Sequence, residues 1–144
     1  MYGVTLVVLL TLFSKAGGLN AQEPSLPPAK RVEINKTQQV LRAYEGDRLI
    51  LQSRVSTGKG NSTPSGNFRV QSKQRMHYSR KYHNAPMPYS VQIWGHYFIH
   101  GFSSVPNRPA SHGCIRLPLT GGNPARLFYE WVELGTPVEI TGRW

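Results

Sequence analysis

After residue 30, apolar and polar positions alternate with a period of two along most of the chain, the pattern of strands with one buried face. Val32-Glu33-Ile34 and Val40-Leu41-Arg42-Ala43-Tyr44 flank a polar turn at residues 35–38, so a hairpin is predicted. Gly46-Asp47 makes a second turn, and Leu49-Ile50-Leu51 with Val55 reads as a third strand. Residues 58–66 are a turn-rich loop, after which alternation resumes at Phe68 and Val70. Residues 72–88 are polar, basic and aromatic with two prolines, and are expected to be irregular or a surface hairpin. Val91–Trp94 and Tyr97–His100 predict a hairpin about Gly95-His96, and a proline-containing loop follows from Ser103 to Ala110. Only one stretch has helical spacing. Asn123 suits its cap, Pro124 its first position, and Leu127, Phe128, Trp131 and Val132 its apolar stripe. Gly135 fits the stop, and Val138-Glu139-Ile140 the closing strand. The pattern predicts a mainly β fold with one short helix.

Composition adds bounds rather than elements. A chain of 144 residues is one domain on length grounds. The apolar run Val4–Phe13, followed by small residues at Ala16, Gly17, Gly18 and Ala21, reads as a signal peptide over residues 1–22, cut after Gly18 or after Ala21. It is shorter than the roughly 20 residues of a spanning helix. The leading Met1-Tyr2-Gly3 carries no Lys or Arg, which keeps an uncleaved anchor as the alternative. Residues 23–29 read as a proline-rich linker, and residues 30–144 as the folded domain.

Lys and Arg total 17 against 7 acids, a net charge of +10, so an anionic partner is expected. The basic residues are scattered, and no zinc finger, KH loop or RNP aromatic signature occurs, which argues against nucleic acid. No nucleotide-binding loop or carboxylate pair occurs either. His77 and His83, in the basic stretch, are expected to face solvent.

The chemistry concentrates at the single cysteine. Cys114 sits in Ser111-His112-Gly113-Cys114-Ile115-Arg116, and His100 lies just upstream in Ile99-His100-Gly101. A lone buried structural cysteine is the bland reading. An unpaired thiol in an exported chain, flanked by imidazoles, points instead to a nucleophile. His100 would then take the thiol proton, and the amides of Gly113 and Cys114 would hold a developing oxyanion. His112 would contact substrate or fix the loop, and Arg116 would orient a carboxylate or close an ion pair. A zinc site from His96, His100, His112 and Cys114 is the competing chemistry, although their spacing is wide and Gly95 interrupts the shared face. A third possibility is a non-catalytic wall-binding module.

The Ser-His-Gly-Cys-Ile-Arg block with its upstream His-Gly resembles the catalytic domain of the L,D-transpeptidases (YkuD-like). So do Val55-Ser56-Thr57-Gly58-Lys59, Thr63-Pro64-Ser65-Gly66-Asn67-Phe68 and Met87-Pro88-Tyr89, and the likeness runs over about residues 30–142. The resemblance implies a β-sandwich enzyme of the bacterial periplasm or cell envelope, needing no cofactor or metal. Family members cut a peptidoglycan stem peptide before its D-alanine and form a thioester on cysteine. They pass the acyl group to an amine of a neighbouring stem (a 3→3 cross-link), to a lipoprotein lysine or to water. Carbapenems acylate that cysteine in many members. Carried onto this chain, Cys114 is the nucleophile and His100 the acid/base, with Gly101 orienting the imidazole through its carbonyl. Ser111, His112, Gly113 and Arg116 support the site, and Tyr89 belongs to the substrate groove. Stem peptides, an anionic wall and a monomeric state are the implied partners and assembly. Two departures stand out: Asn123-Pro124-Ala125 after two glycines where Asp-Ala is common, and Asn107-Arg108-Pro109-Ala110 where a glycine is usual.

Overall fold

The computed structural model describes residues 17–18 and 21–144, so the apolar run Val4–Phe13 lies outside the described residues. Residues 21–29 are exposed and without regular structure. The rest is a two-sheet β-sandwich. One sheet holds β1 (Lys30–Asn35), β2 (Val40–Glu45), β3 (Arg48–Arg54), β4 (Gly66–Arg69) and β9 (Pro137–Thr141), in the order β3-β2-β1-β9-β4. The other holds β5 (Ser72–Ser79), β6 (Ala85–Trp94), β7 (Tyr97–Phe102) and β8 (Ile115–Pro118), in chain order. The helix α1 spans Pro124–Trp131 and packs between them.

The alternation that predicted the strands is the alternation that fills the core. Val32 and Ile34 of β1, Leu41 and Ala43 of β2, and Val138 and Ile140 of β9 are all at most 1% exposed. They meet Val91, Ile93, Ile99, Ile115 and Leu117 from the second sheet. Each sheet contains one parallel pair, β1 with β9 and β7 with β8. Parallel neighbours need a long crossover, and the one from β7 to β8 is the loop Ser103–Cys114. That crossover returns the chain to the start of β8 with Cys114 immediately before it.

Two expectations change and a third is resolved. Of the two alternatives for residues 72–88 the structure has the hairpin: they form β5 and the first half of β6, paired from Ser72↔Gln92 to Ser79↔Ala85. β7 pairs only with Val91–Trp94, so Pro86 and Pro88 lie where β6 has one partner strand, a place that tolerates a missing N–H. The strand β8 is an addition that the pattern did not indicate. In α1 the buried seam runs through Ala125, Phe128 and Val132 at i, i+3 and i+7, whereas Leu127 is 49% exposed and leaves the stripe. Asn123 does cap the helix, its side chain accepting the Arg126 N–H at 3.1 Å.

Candidate active site

The pairing of β7 with β8 builds the site. Ile99 lies opposite Ile115 and His100 opposite Arg116, so in both strands odd-numbered side chains face the core and even-numbered ones face outward. Phe98, His100 and Phe102 thus share a face with Cys114 and Arg116, and all five line one cleft of about 710 Å³. His100 and Cys114 are diagonal neighbours on that face. The opposite wall comes from β5, the start of β6 and the hairpin tip between them.

His100 is 5% exposed, and its Nδ1 donates to the Gly101 carbonyl at 2.8 Å. That bond fixes the neutral tautomer with Nε2 as the acceptor. Burial holds its pKa down to about 4, with the charges of Arg116 and His77 acting in the same sense and the Gly101 bond opposing them. Cys114 is half-buried, and its Sγ donates to the His96 carbonyl at 3.5 Å. Burial pushes the thiol above its usual range, against the pull of the Phe98 backbone and of Arg116 and Lys81. The resting pair is therefore neutral, thiol and imidazole, rather than the thiolate–imidazolium pair expected from sequence.

The loop before Cys114 is held at several points. The Ser111 hydroxyl donates to the Cys114 carbonyl and accepts the Gly113 N–H at 3.1 Å. The Gly113 amide is thereby engaged and is withdrawn from the oxyanion pair read from the sequence. Thr63 donates to the Gly113 carbonyl at 2.7 Å while its hydroxyl accepts the Gly58 N–H at 2.8 Å. A Cβ on Gly58 would stand 2.8 Å from the Gly113 Cα, which explains the glycine there. Ser56 pairs through its backbone with Arg116, and its hydroxyl donates to the Arg108 carbonyl at 2.7 Å, pinning the crossover loop.

The remaining residues fall as follows. His112 is exposed and stacks on Tyr82 of the β5–β6 hairpin tip, with ring centroids 4.4 Å apart. Arg116 lies over the Phe102 ring at 4.0 Å and is in no ion pair among the described residues, so its ion-pair reading falls away. A Cβ on Gly101 would meet Leu119 at 2.4 Å, so this position is close-packed as well as orienting. Tyr89 is corrected: it does not line the cleft but packs on Tyr129 of α1 at 5.8 Å, with a left-handed backbone (φ 53°). His77 is corrected too. It stacks on Phe98 at 4.8 Å, lines the cleft and hydrogen-bonds Gln74 at 2.7 Å, and His83 also lines the cleft. Sequence reasoning missed His77, Arg80, Lys81 and Tyr82 because only the hairpin they ride on brings them to the cysteine. Among the described residues, no three His, Cys, Asp or Glu side chains are grouped to hold a metal ion.

Fold and site together describe a catalytic domain whose one cysteine opens into a β-sandwich cleft beside a buried imidazole. A model of the L,D-transpeptidase catalytic domain (YkuD) matches residues 29–140, and the chain belongs to that family. The L,D-transpeptidase of Xylanimonas cellulosilytica is 30% identical, with a TM-score of 0.67, covering 82% of this chain and 63% of that one. The L,D-transpeptidase (Yku) of Stackebrandtia nassauensis is 26% identical, with a TM-score of 0.72, covering 90% and 62%. A cysteine-to-serine mutant of the Enterococcus faecium L,D-transpeptidase, 24% identical with a TM-score of 0.66 over 78% and 50%, shares the fold. The chain thus spans about three fifths of the length of the first two. A search of curated proteins finds no match.

Proposed function

We propose that this domain is a cysteine-dependent L,D-transpeptidase acting on peptidoglycan stem peptides. The observation that carries the reading is the β7–β8 register, which sets His100 and Cys114 on one face of one cleft. Because both groups rest neutral, rotation about Cβ–Sγ turns the thiol from the His96 carbonyl toward Nε2 of His100. Sγ attacks the carbonyl carbon between the third stem residue and D-alanine as the proton passes to Nε2. The Cys114 amide meets the oxyanion, a contribution of roughly 3–4 kcal/mol for a well-placed donor. The imidazolium, held by Gly101, returns the proton to the departing D-alanine nitrogen and leaves a thioester. An amine acceptor then loses a proton to His100 and attacks the thioester, the thiolate leaves and is reprotonated, and a 3→3 cross-link results. Ser111, Gly113 and Thr63 keep the nucleophile loop in place.

The reading sets the domain to work in the cell envelope, outside the cytoplasm. The run Val4–Phe13 and the net charge of +10, suited to an anionic wall, support this placement. Incubation with defined tetrapeptide stems, followed by product analysis, tests the function. Cross-linked dimers and free D-alanine are expected, and both should disappear in Cys114→Ala. Tripeptide without dimer would assign water as acceptor; D-alanine release by purified Cys114→Ala would end the proposal. Intact mass after carbapenem exposure gives an independent check, with an adduct expected on the wild type alone.

A further inference from the structure

The charge of this protein is segregated along the chain. Between Asp47 and Glu130 there is no acidic residue at all, and that stretch includes every strand of the sheet that forms the cleft. All five histidines line this cleft, with Arg80, Lys81 and Arg116, and no carboxylate lines it. The four ion pairs among the described residues, Lys30–Glu133, Arg31–Glu33, Arg48–Glu45 and Arg126–Glu130, all lie elsewhere. Lys81 and Arg116 rest only over aromatic rings, Tyr82 at 5.5 Å and Phe102 at 4.0 Å. Cations held in a concave site without counter-charge are a standing demand for anionic groups on whatever enters.

Their placement says where those groups lie. Arg116 is on the floor, opposite His100 in the β7–β8 register. Arg80 and Lys81 are on the hairpin tip, which the Tyr82–His112 stack ties to the nucleophile loop. A peptide threaded to Cys114 therefore passes cations on both sides. We propose that the cleft selects acyl-donor peptides whose carboxylates are free over the same peptides with those carboxylates amidated, and that Arg80 and Lys81 make the discrimination. The proposal rests on the stem-peptide reading above. A carboxamide has nearly the shape of a carboxylate but no charge, and it turns N–H donors toward cations that are themselves donors.

The test compares two tetrapeptide stems that differ only in one free or amidated carboxylate, using the full chain, by kcat/KM for D-alanine release. Wild type is expected to favour the free acid about tenfold, the scale of one charge-assisted hydrogen bond in a partly solvated site. In Arg80→Gln/Lys81→Gln the preference should fall to within roughly threefold, and in wild type it should shrink at ~0.5 M salt. Circular dichroism checks that the double variant is folded, and the two single variants repeat the comparison if it is not. Equal turnover of both peptides by wild type, or a preference for the amide, overturns the selection and leaves acyl transfer standing. A preference that persists in the folded variant overturns the assignment to Arg80 and Lys81. Turnover of neither peptide by wild type removes both this proposal and the reading beneath it.

Discussion

At the scale of single residues, the site is governed by groups kept out of water. His100 has its pKa held to about 4 in the folded protein against about 6.5 free, so the unfolded chain binds the extra proton first as pH falls. Stability is fully present above about pH 6.5, declines as pH falls through the window, and is lost below about 4. The shift corresponds to ~3 kcal/mol. Urea unfolding at pH 7 and pH 4 should show this loss in wild type and a smaller one in His100→Gln; identical losses would mean the imidazole is not the group responsible. In the proposed mechanism activity follows the same sign, because neutral His100 is the form that takes the thiol proton. The acid limb of kcat/KM should fall near 4 rather than near the usual histidine value. Lys36 shows a related economy. Only 2% exposed, it donates to the Thr63 carbonyl at 2.8 Å and to Asn61 at 2.9 Å, and Thr63 in turn holds Gly113. Thr63→Val keeps the shape but strands the Gly58 N–H and the Gly113 carbonyl. We expect a loss of about 2–4 kcal/mol in urea stability and kcat lowered ~10-fold or more, with KM within about threefold. Wild-type kcat in the folded variant would remove Thr63 from the positioning of Cys114.

At the scale of elements, two pieces of backbone bring the site together, and they differ in how legible they were. The β6–β7 turn was readable because Gly95 interrupts two clean apolar runs, and in the structure it has a left-handed backbone (φ 52°). The helix start was readable from Asn123-Pro124. The strand β8 was not, since four residues, Ile-Arg-Leu-Pro, carry too little alternation and become a strand only through the partner β7 offers. The β5–β6 hairpin was legible only as one of two alternatives. Tyr89 takes a positive φ, and the strand changes surroundings there: Ala85, Pro86 and Met87 line the cleft upstream, whereas Val91 and Ile93 are in the core downstream. The apolar positions Ala85, Met87, Tyr89, Val91 and Ile93 keep a period of two, but Pro86 and Pro88 between them argue against a paired strand. Hence the meeting of His100 and Cys114 was legible, being local to one motif and one hairpin, while the opposing wall was left between a hairpin and irregular structure. The hairpin makes its own prediction. Tyr82→Ala removes the stack on His112, a pair worth about 0.5–1.5 kcal/mol, without touching the core. KM for a stem peptide should rise about three- to tenfold with thermal stability near wild type. An unchanged KM would show that the tip does not shape the bound state.

At the scale of the whole molecule, the sandwich separates two jobs. The five-stranded sheet carries three of the seven acids, Glu33, Glu45 and Glu139, and two of the four ion pairs among the described residues. The four-stranded sheet carries none and forms the cleft. A net charge of +10 spread over the molecule does more than fill a site: it biases how the molecule approaches a polyanionic surface. The range of that bias is set by screening, with a Debye length of about 10 Å at 0.1 M salt and about 3 Å at 1 M. If the proposed wall substrate is correct, isolated anionic sacculi should retain the protein at low salt and release most of it by ~0.5 M. Cys114→Ala should behave as wild type in this assay, because the thiol makes no contribution to long-range attraction. Neutralising cations remote from the cysteine, Arg69 and Arg75 among them, should weaken retention by similar small steps. A field built from scattered charges loses strength gradually, whereas a specific pocket fails at one or two residues. Retention that ignored salt, or that collapsed on a single remote substitution, would mean the wall is held by a local contact instead of by the summed charge.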